Sequence, residues 1–298
     1  MLGEVIEALR VLEDPREDGE SVAALLRTRG ARADTTRISG ERGHTDVVRA
    51  RFGERGPCLG ILGVLGGTGM RPERPGLVSD ADGAVVALAV ALALARQWAA
   101  GDALPGSIHV ATHVCPRALV RAQHPAPMMS CPADRVAVLD AMMDVPLTGI
   151  LSVDAAKANR VLNRTGFALT PPSVGGWVLR PSDDLLDLQS AVTGEAPVVF
   201  PLTMGDITPY GSGARHVNSI MQPATRTAAP VVGVAITAAS TTAGSATGAN
   251  QPFVLDGVAR FCVEVARAFT AGRCRLHDEG EHAALVARYG PMTRLQSL

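Results

Sequence analysis

Aromatic side chains are scarce: two Trp, two Tyr and six Phe make up 3% of 298 residues. A core so short of rings must be filled by Ala, Val, Leu and Ile, which favours helices packed on a sheet of branched residues. No basic block is interleaved with aromatics, and 28 basic residues nearly balance 29 acidic ones. Nucleic acid and other polyanions are therefore not expected partners. The longest apolar run, residues 84 to 95, is too short for a bilayer and suits a buried helix. No membrane segment is expected. The five cysteines, Cys58, Cys115, Cys131, Cys262 and Cys274, are scattered without paired metal spacing. With no charged-then-apolar leader at the start of the sequence, a reduced cytoplasm is the expected setting.

What is present is organised around residues 79 to 92, where Ser79-Asp80-Ala81-Asp82-Gly83 opens onto a helix that is apolar on every face. The body of such a helix must be buried, so its two acids are held at an interior edge. One carboxylate at a helix start is explained by capping and the helix dipole. The second points to a site.

Residues 1 to 56 read as a helical N-terminal extension followed by an exposed connection, with one strand near Asp46 to Phe52. Residues 57 to 298 read as a single α/β domain. Within it short apolar runs end in small and polar residues: Cys58 to Leu65, Ser107 to Ala111, Gly149 to Val153, Pro197 to Phe200 and Val231 to Ile236. Helical patterns at Ala84 to Trp98, Arg135 to Met143, Ser182 to Val192 and Val254 to Thr270 alternate with them. This order predicts a three-layer αβα fold with a mostly parallel sheet. In such sheets ligands bind beyond the carboxyl ends of the strands, where loops and helix starts converge. The Pro-rich loop of residues 116 to 132 is long enough to close over those ends, and His277 and His282 in the charged tail read as solvated.

Asp80, Asp82, His113, Asp154, Asp206 and His216 lie at or near the expected strand ends. Carboxylate oxygen and imidazole nitrogen are ligands of Zn²⁺ or Mn²⁺, and a bridged pair of such ions generates hydroxide at neutral pH. No two-histidine helical zinc motif is present. Each residue also has a plainer reading: Asp154 as an ion-paired helix cap, His113 as a satisfied core histidine, Asp206 as the stabiliser of its own turn. Lys157, Asn159, Arg160, Asp206, Thr208, Tyr210 and Asn218, in the segments that follow strands, are candidates for holding substrate. Cys115 with His113 or His216 offers a metal-free alternative, a thiol and a base. The Gly-rich stretch from Gly60 to Gly69 lacks the Lys-Ser/Thr of a P-loop, which disfavours nucleotide binding.

The strings Gly76-Leu77-Val78-Ser79-Asp80-Ala81-Asp82-Gly83-Ala84, Ala111-Thr112-His113-Val114-Cys115-Pro116, Ile150-Leu151-Ser152-Val153-Asp154, Asp206-Ile207-Thr208-Pro209-Tyr210-Gly211 and Tyr289-Gly290-Pro291-Met292 resemble a bacterial family of undefined function, domain of unknown function 1177. More distantly, the chain is similar to co-catalytic zinc exopeptidases and deacylases. In that clan an Asp shortly before a Gly, at the start of a long apolar helix, bridges two metals, and Asp80 with Gly83 matches that placement. Asp154 matches a later acidic ligand. The clan's first His-x-Asp is replaced here by Gly66-Gly67-Thr68-Gly69, its glutamate pair by Thr112-His113, and its last His by the region Ser240-Thr241-Thr242.

The resemblance implies a hydrolase acting on an amide bond of a small peptide-like or amino-acid-derived substrate. Asp80, Asp154 and His216 would hold Zn²⁺ or Mn²⁺, while His113 and Asp82 carry the proton transfer or orient it. The alternative is a metal-free descendant that binds a small metabolite at the same strand ends. A symmetric homo-oligomer is the default assembly for so apolar a chain.

Overall fold

The computed structural model describes residues 1–64, 77–115, 118–121, 128–156, 161–216, 219–239 and 250–297. Helices α1 (Leu2–Glu13) and α2 (Gly19–Thr28) lead into strands β1 (Arg32–Gly40), β2 (Gly43–Phe52) and β3 (Cys58–Gly63). A 3-10 turn at Ser79–Ala81 opens α3 (Asp82–Ala99), followed by β4 (Ser107–Val114), the small pair β5 (Leu119–Arg121) and β6 (Met128–Ser130), and α4 (Arg135–Met142). Then come β7 (Gly149–Ala155), β8 (Gly166–Leu169), β9 (Ser173–Val174), β10 (Trp177–Val178) and α5 (Asp183–Thr193). The chain ends with β11 (Val231–Thr237), α6 (Pro252–Thr270) and α7 (Glu279–Tyr289).

Nine strands form one mixed sheet in the order β1-β2-β4-β3-β7-β11-β9-β10, with β8 also paired to β11. Its centre, β4-β3-β7-β11, is parallel, and the strands added at either side run antiparallel. One face carries α1, α2, α3, α5 and α6, whose apolar residues join Leu59, Ile61, Val110 and Leu151 in the larger core. The other face carries α4 and the 3-10 segments Met204–Ile207 and Ser219–Thr225, packed on Leu62, Ala111, Ile150 and Ala235. The expected three-layer α/β fold is present. Among the described residues no helix is long and apolar enough to cross a membrane.

Every residue of α3 from Asp82 to Ala95 is buried. The sheet covers one side of it, and α1 and α6 cover the other. The N-terminal helices are thus what allows this helix to be apolar all round.

Residues 30 to 56 depart from the expected exposed connection, because β1 and β2 form a hairpin and β2 pairs with β4. The charges that suggested a solvated segment are matched across the hairpin instead: Asp34 stands opposite Arg49, and Arg37 opposite Asp46 with its Nε 2.7 Å from the carboxylate. Opposite charges at directly facing positions support a strand pair. Residues 197 to 200, expected as a strand, make only a single bridge, Leu169 to Val199. His277, expected in solvent, is buried and meets His282 edge to face at 5.8 Å.

Two glycines set how closely α3 approaches the strand ends. A Cβ on Gly83 would lie 2.4 Å from the Val153 carbonyl oxygen, and one on Gly63 would lie 2.3 Å from that of Gly83. The backbone of the helix start rests directly on the ends of β3 and β7. Gly83→Ala must push them apart, and an expected loss of about 1–3 kcal/mol is measurable by urea unfolding. Wild-type stability in that variant would remove the close-approach argument.

Candidate active site

In the register of the parallel centre, Gly63 is level with Thr112 of β4 and with Val153 of β7. His113 and Asp154, one residue further, therefore flank Val64, whose amide donates to the Val153 carbonyl at 3.1 Å. Two strand spacings put their Cα atoms roughly 10 Å apart. Alternation along the strands turns both side chains to the α4 face, the side of Ala111 and Ile150.

Asp154 is 1% exposed, and its Oδ1 accepts the Ala155 amide at 2.7 Å. Burial first, then the charge of Asp80, raises its pKa well above the ordinary carboxylate range; Asp82 adds to this, while the Ala155 hydrogen bond and Arg135 work against it. The helix start thus brings Asp80 and Asp82 up to the end of β7, and three carboxylates share one corner. Asp82 is fully buried, and its Oδ1 accepts from the Asn250 amide at 2.5 Å; Asn250 also reaches the Val78 carbonyl.

His113 is 3% exposed. The Thr45 hydroxyl donates to the Val114 carbonyl at 3.0 Å, so at 2.9 Å its oxygen accepts from His113 Nδ1–H. That fixes the tautomer and leaves Nε2 as the nitrogen with a lone pair. Burial, followed by the nearby Arg135 charge, pushes the imidazole down to about 4. His113 is neutral at physiological pH and fronts a recess walled by Val138 and Met142 of α4, with Arg135, Ser219 and Gln222 around it.

The remaining candidates divide. His216 Nε2 donates to the Thr208 carbonyl at 2.8 Å, and that same oxygen accepts from Gln222. Its ring lies 4.7 Å from that of Tyr210, which in turn lies 4.7 Å beneath the Arg135 guanidinium. Asp206 is fully buried and accepts from both the amide and the hydroxyl of Thr203, at 2.8 and 3.0 Å, closing the start of the 3-10 turn Met204–Ile207 in which it lies. The Thr208 hydroxyl donates to Gly205 within the same turn. Lys157, Asn159, Arg160 and Asn218 lie outside the described residues. Cys115 is buried, with its sulfur 3.5 Å from the His44 carbonyl. Among the described residues no three His, Cys, Asp or Glu side chains converge on a single ion-sized point.

Thr45, Arg135 and Asn250 were not among the candidates. Thr45 and Asn250 carry no catalytic signature, and an Arg at a helix start reads as solvated. Only the fold places them against His113, Asp154 and Asp82.

The profile of a protein family of unknown function, DUF1177, matches residues 36–298. The chain belongs to this family. A search of curated proteins finds no match. Solved structures of similar fold include the bottromycin maturation enzyme BotP, at 14% identity and a TM-score of 0.53 over 90% of this chain and 70% of that one. The glutaminyl cyclase of Porphyromonas gingivalis aligns at 11% identity and 0.54, over 88% of this chain and 95% of the other. The leucine aminopeptidase of Caenorhabditis elegans aligns at 10% and 0.52, over 92% and 65%. BotP has also been solved in complex with Mn, matching at a TM-score of 0.50 and 15% identity. This member of the family therefore shares the fold of these enzymes. The expected similarity to zinc exopeptidases and deacylases holds at the level of architecture.

Proposed function

We propose that the protein is a metal-dependent hydrolase that cleaves an amide bond of a small peptide-like or amino-acid-derived substrate. The observation that carries this reading is the corner at the end of β7, where the helix start brings Asp80 and Asp82 to buried Asp154, across β3 from buried His113. Buried carboxylates that repel one another are stabilised by a divalent cation, so the donor chemistry fits one, and an all-oxygen set suits Mn²⁺ at least as well as Zn²⁺. Asp80 and Asp154 would hold it at the end of β7, and no third His, Cys, Asp or Glu of the described residues meets them at one point. When bound, such an ion would polarise the amide carbonyl and lower the pKa of a water.

The chain's own groups supply the rest. The bare Nε2 of His113, oriented through Thr45, takes up a proton at the strand ends and returns it to the departing amine. Asn250 anchors Asp82, fixing the carboxylate relative to the helix start. The apolar wall of Val138 and Met142 limits water around the reacting bond.

Metal content of the untagged protein tests this. One or two equivalents of Mn²⁺ or Zn²⁺, lost in Asp80→Ala, are expected. Absence of metal after incubation with either ion would overturn the hydrolase reading in favour of a metal-free metabolite-binding protein.

A further inference from the structure

We propose that the groove at the opposite end of the sheet, across the N-terminal ends of β3 and β4, is a second binding site, one that takes an uncharged saccharide. It does not depend on the reading of the strand-end corner: from Ser107, which borders the groove, to His113 the strand runs roughly 20 Å. The groove has a volume of about 880 Å³ and shares Arg32, Arg51, Gly53 and Glu54 with a neighbouring cleft of about 560 Å³. Space of this size takes a small organic molecule rather than a lone water.

His109 of β4 and Arg51 of β2 stand directly opposite each other in the strand pair, and both border the groove. Burial pushes the His109 pKa down, so the ring is neutral at physiological pH. Its Nε2–H donates to the Met142 carbonyl at 2.7 Å, which leaves Nδ1 as a bare acceptor. Neither that nitrogen nor the buried Arg51 Nε–H has a hydrogen-bond partner among the described residues. Buried polar atoms are ordinarily paired, so both call for a partner from outside the chain. A single hydroxyl answers both, donating to the imidazole and accepting from the guanidinium. Arg51 is 37% exposed on a long stem, and a small shift of that stem admits the group.

The charges that line the groove are already matched: Arg27 with Glu20, Arg32 with Glu54, Arg51 with Asp144 and Asp34 with Arg49. An ionic ligand would have to break one of these pairs, whereas the carboxylate lone pairs and N–H edges left over suit neutral hydroxyls. Trp98, in the last turn of α3, is 41% exposed and borders the neighbouring cleft. An open aromatic face takes the C–H face of a sugar ring. Val145 and Pro146 add an apolar wall to the larger groove. Rows of hydroxyls on an apolar ring face are what a saccharide presents.

Calorimetric titration of the full chain with maltose, cellobiose and lactose, and with lactobionate and trehalose 6-phosphate as charged counterparts, tests this without turnover. At least one of the neutral disaccharides is expected to bind, about tenfold more tightly than either charged sugar, and a chelator is expected to leave that binding unchanged. Trp98→Ala and His109→Gln are each expected to weaken it by about tenfold. Trp98 is a surface residue, so its variant keeps the test open if His109→Gln does not fold. Failure of all the neutral disaccharides to bind, equal binding of the charged ones, loss of binding with the chelator, or unchanged binding in either folded variant overturns the assignment. Sugar binding without metal or amide cleavage would leave this site standing and remove the hydrolase reading. Metal-dependent cleavage without sugar binding would do the reverse.

Discussion

Asp154→Asn is expected to stabilise the metal-free protein at pH 7 to 8 by about 0.5–2 kcal/mol while removing metal binding and turnover. The substitution keeps the side chain's shape and the Oδ1 that accepts the Ala155 amide, so packing is preserved. What it removes is a buried acid whose ionisation is opposed by desolvation and by Asp80 and Asp82. Below the ordinary carboxylate range the folded and unfolded states are both protonated at Asp154, and the variant gains nothing. As pH rises through that range the unfolded chain ionises while the native state still holds its proton, so the wild type loses stability until the raised native pKa is passed. The variant has no such loss. Urea unfolding in the presence of a chelator, at steps from pH 4 to pH 8, checks this: the gain should be absent at the acid end and grow with pH. A variant that is destabilised, or that tracks the wild type at every pH, would show that the three acids do not interact as described. Added Mn²⁺ should reverse the ranking at neutral pH, because only the wild type then gains from the ligand.

The same chemistry explains how much of the site was legible in the sequence. Asp80 and Asp82 stood out because a helix that is apolar on every face leaves charge only at its ends, and Gly83 marks the backbone approach that seats that end on β3 and β7. His113 and Asp154 could be placed at strand ends from apolar runs alone. Their joint orientation depends on the β4-β3-β7 order, which no local pattern carries. The hairpin of β1 and β2 was hidden because its residues are charged, and cross-strand pairing of Arg37 with Asp46 looks in one dimension like a solvated stretch. Arg135 was hidden for a related reason. Its neighbour Asp134 suggests a surface ion pair, whereas that carboxylate caps α4 and leaves the guanidinium to Tyr210, 75 residues away along the chain. Asp206 shows the opposite case: the turn string around it suggested both a site and a self-stabilised turn, and its bonds to Thr203 are those of the turn.

His113→Gln is expected to lower kcat by about 10²–10⁴-fold, the range for loss of a positioned acid–base group, and to remove an acid sensitivity that the wild type carries. Burial and Arg135 lower the imidazole from 6.5 to about 4, the opposite direction from Asp154. Above pH 6.5 the ring is neutral in both folded and unfolded chains, and its contribution to stability is fully present. As pH falls below 6.5 the unfolded chain takes up a proton that the native state refuses until about 4, and over that window about 3 kcal/mol of stability is lost. Gln cannot titrate, so its unfolding free energy should lack that loss. Because Asp154 contributes the reverse slope over the lower part of the same range, the two variants should diverge: acidification costs Asp154→Asn more stability than the wild type and His113→Gln less. Chemical denaturation from pH 7 to pH 4 reads both slopes. If His113→Gln loses stability on acidification as steeply as the wild type, the ring is not the buried neutral base that its bond to Thr45 and its place beneath α4 make it.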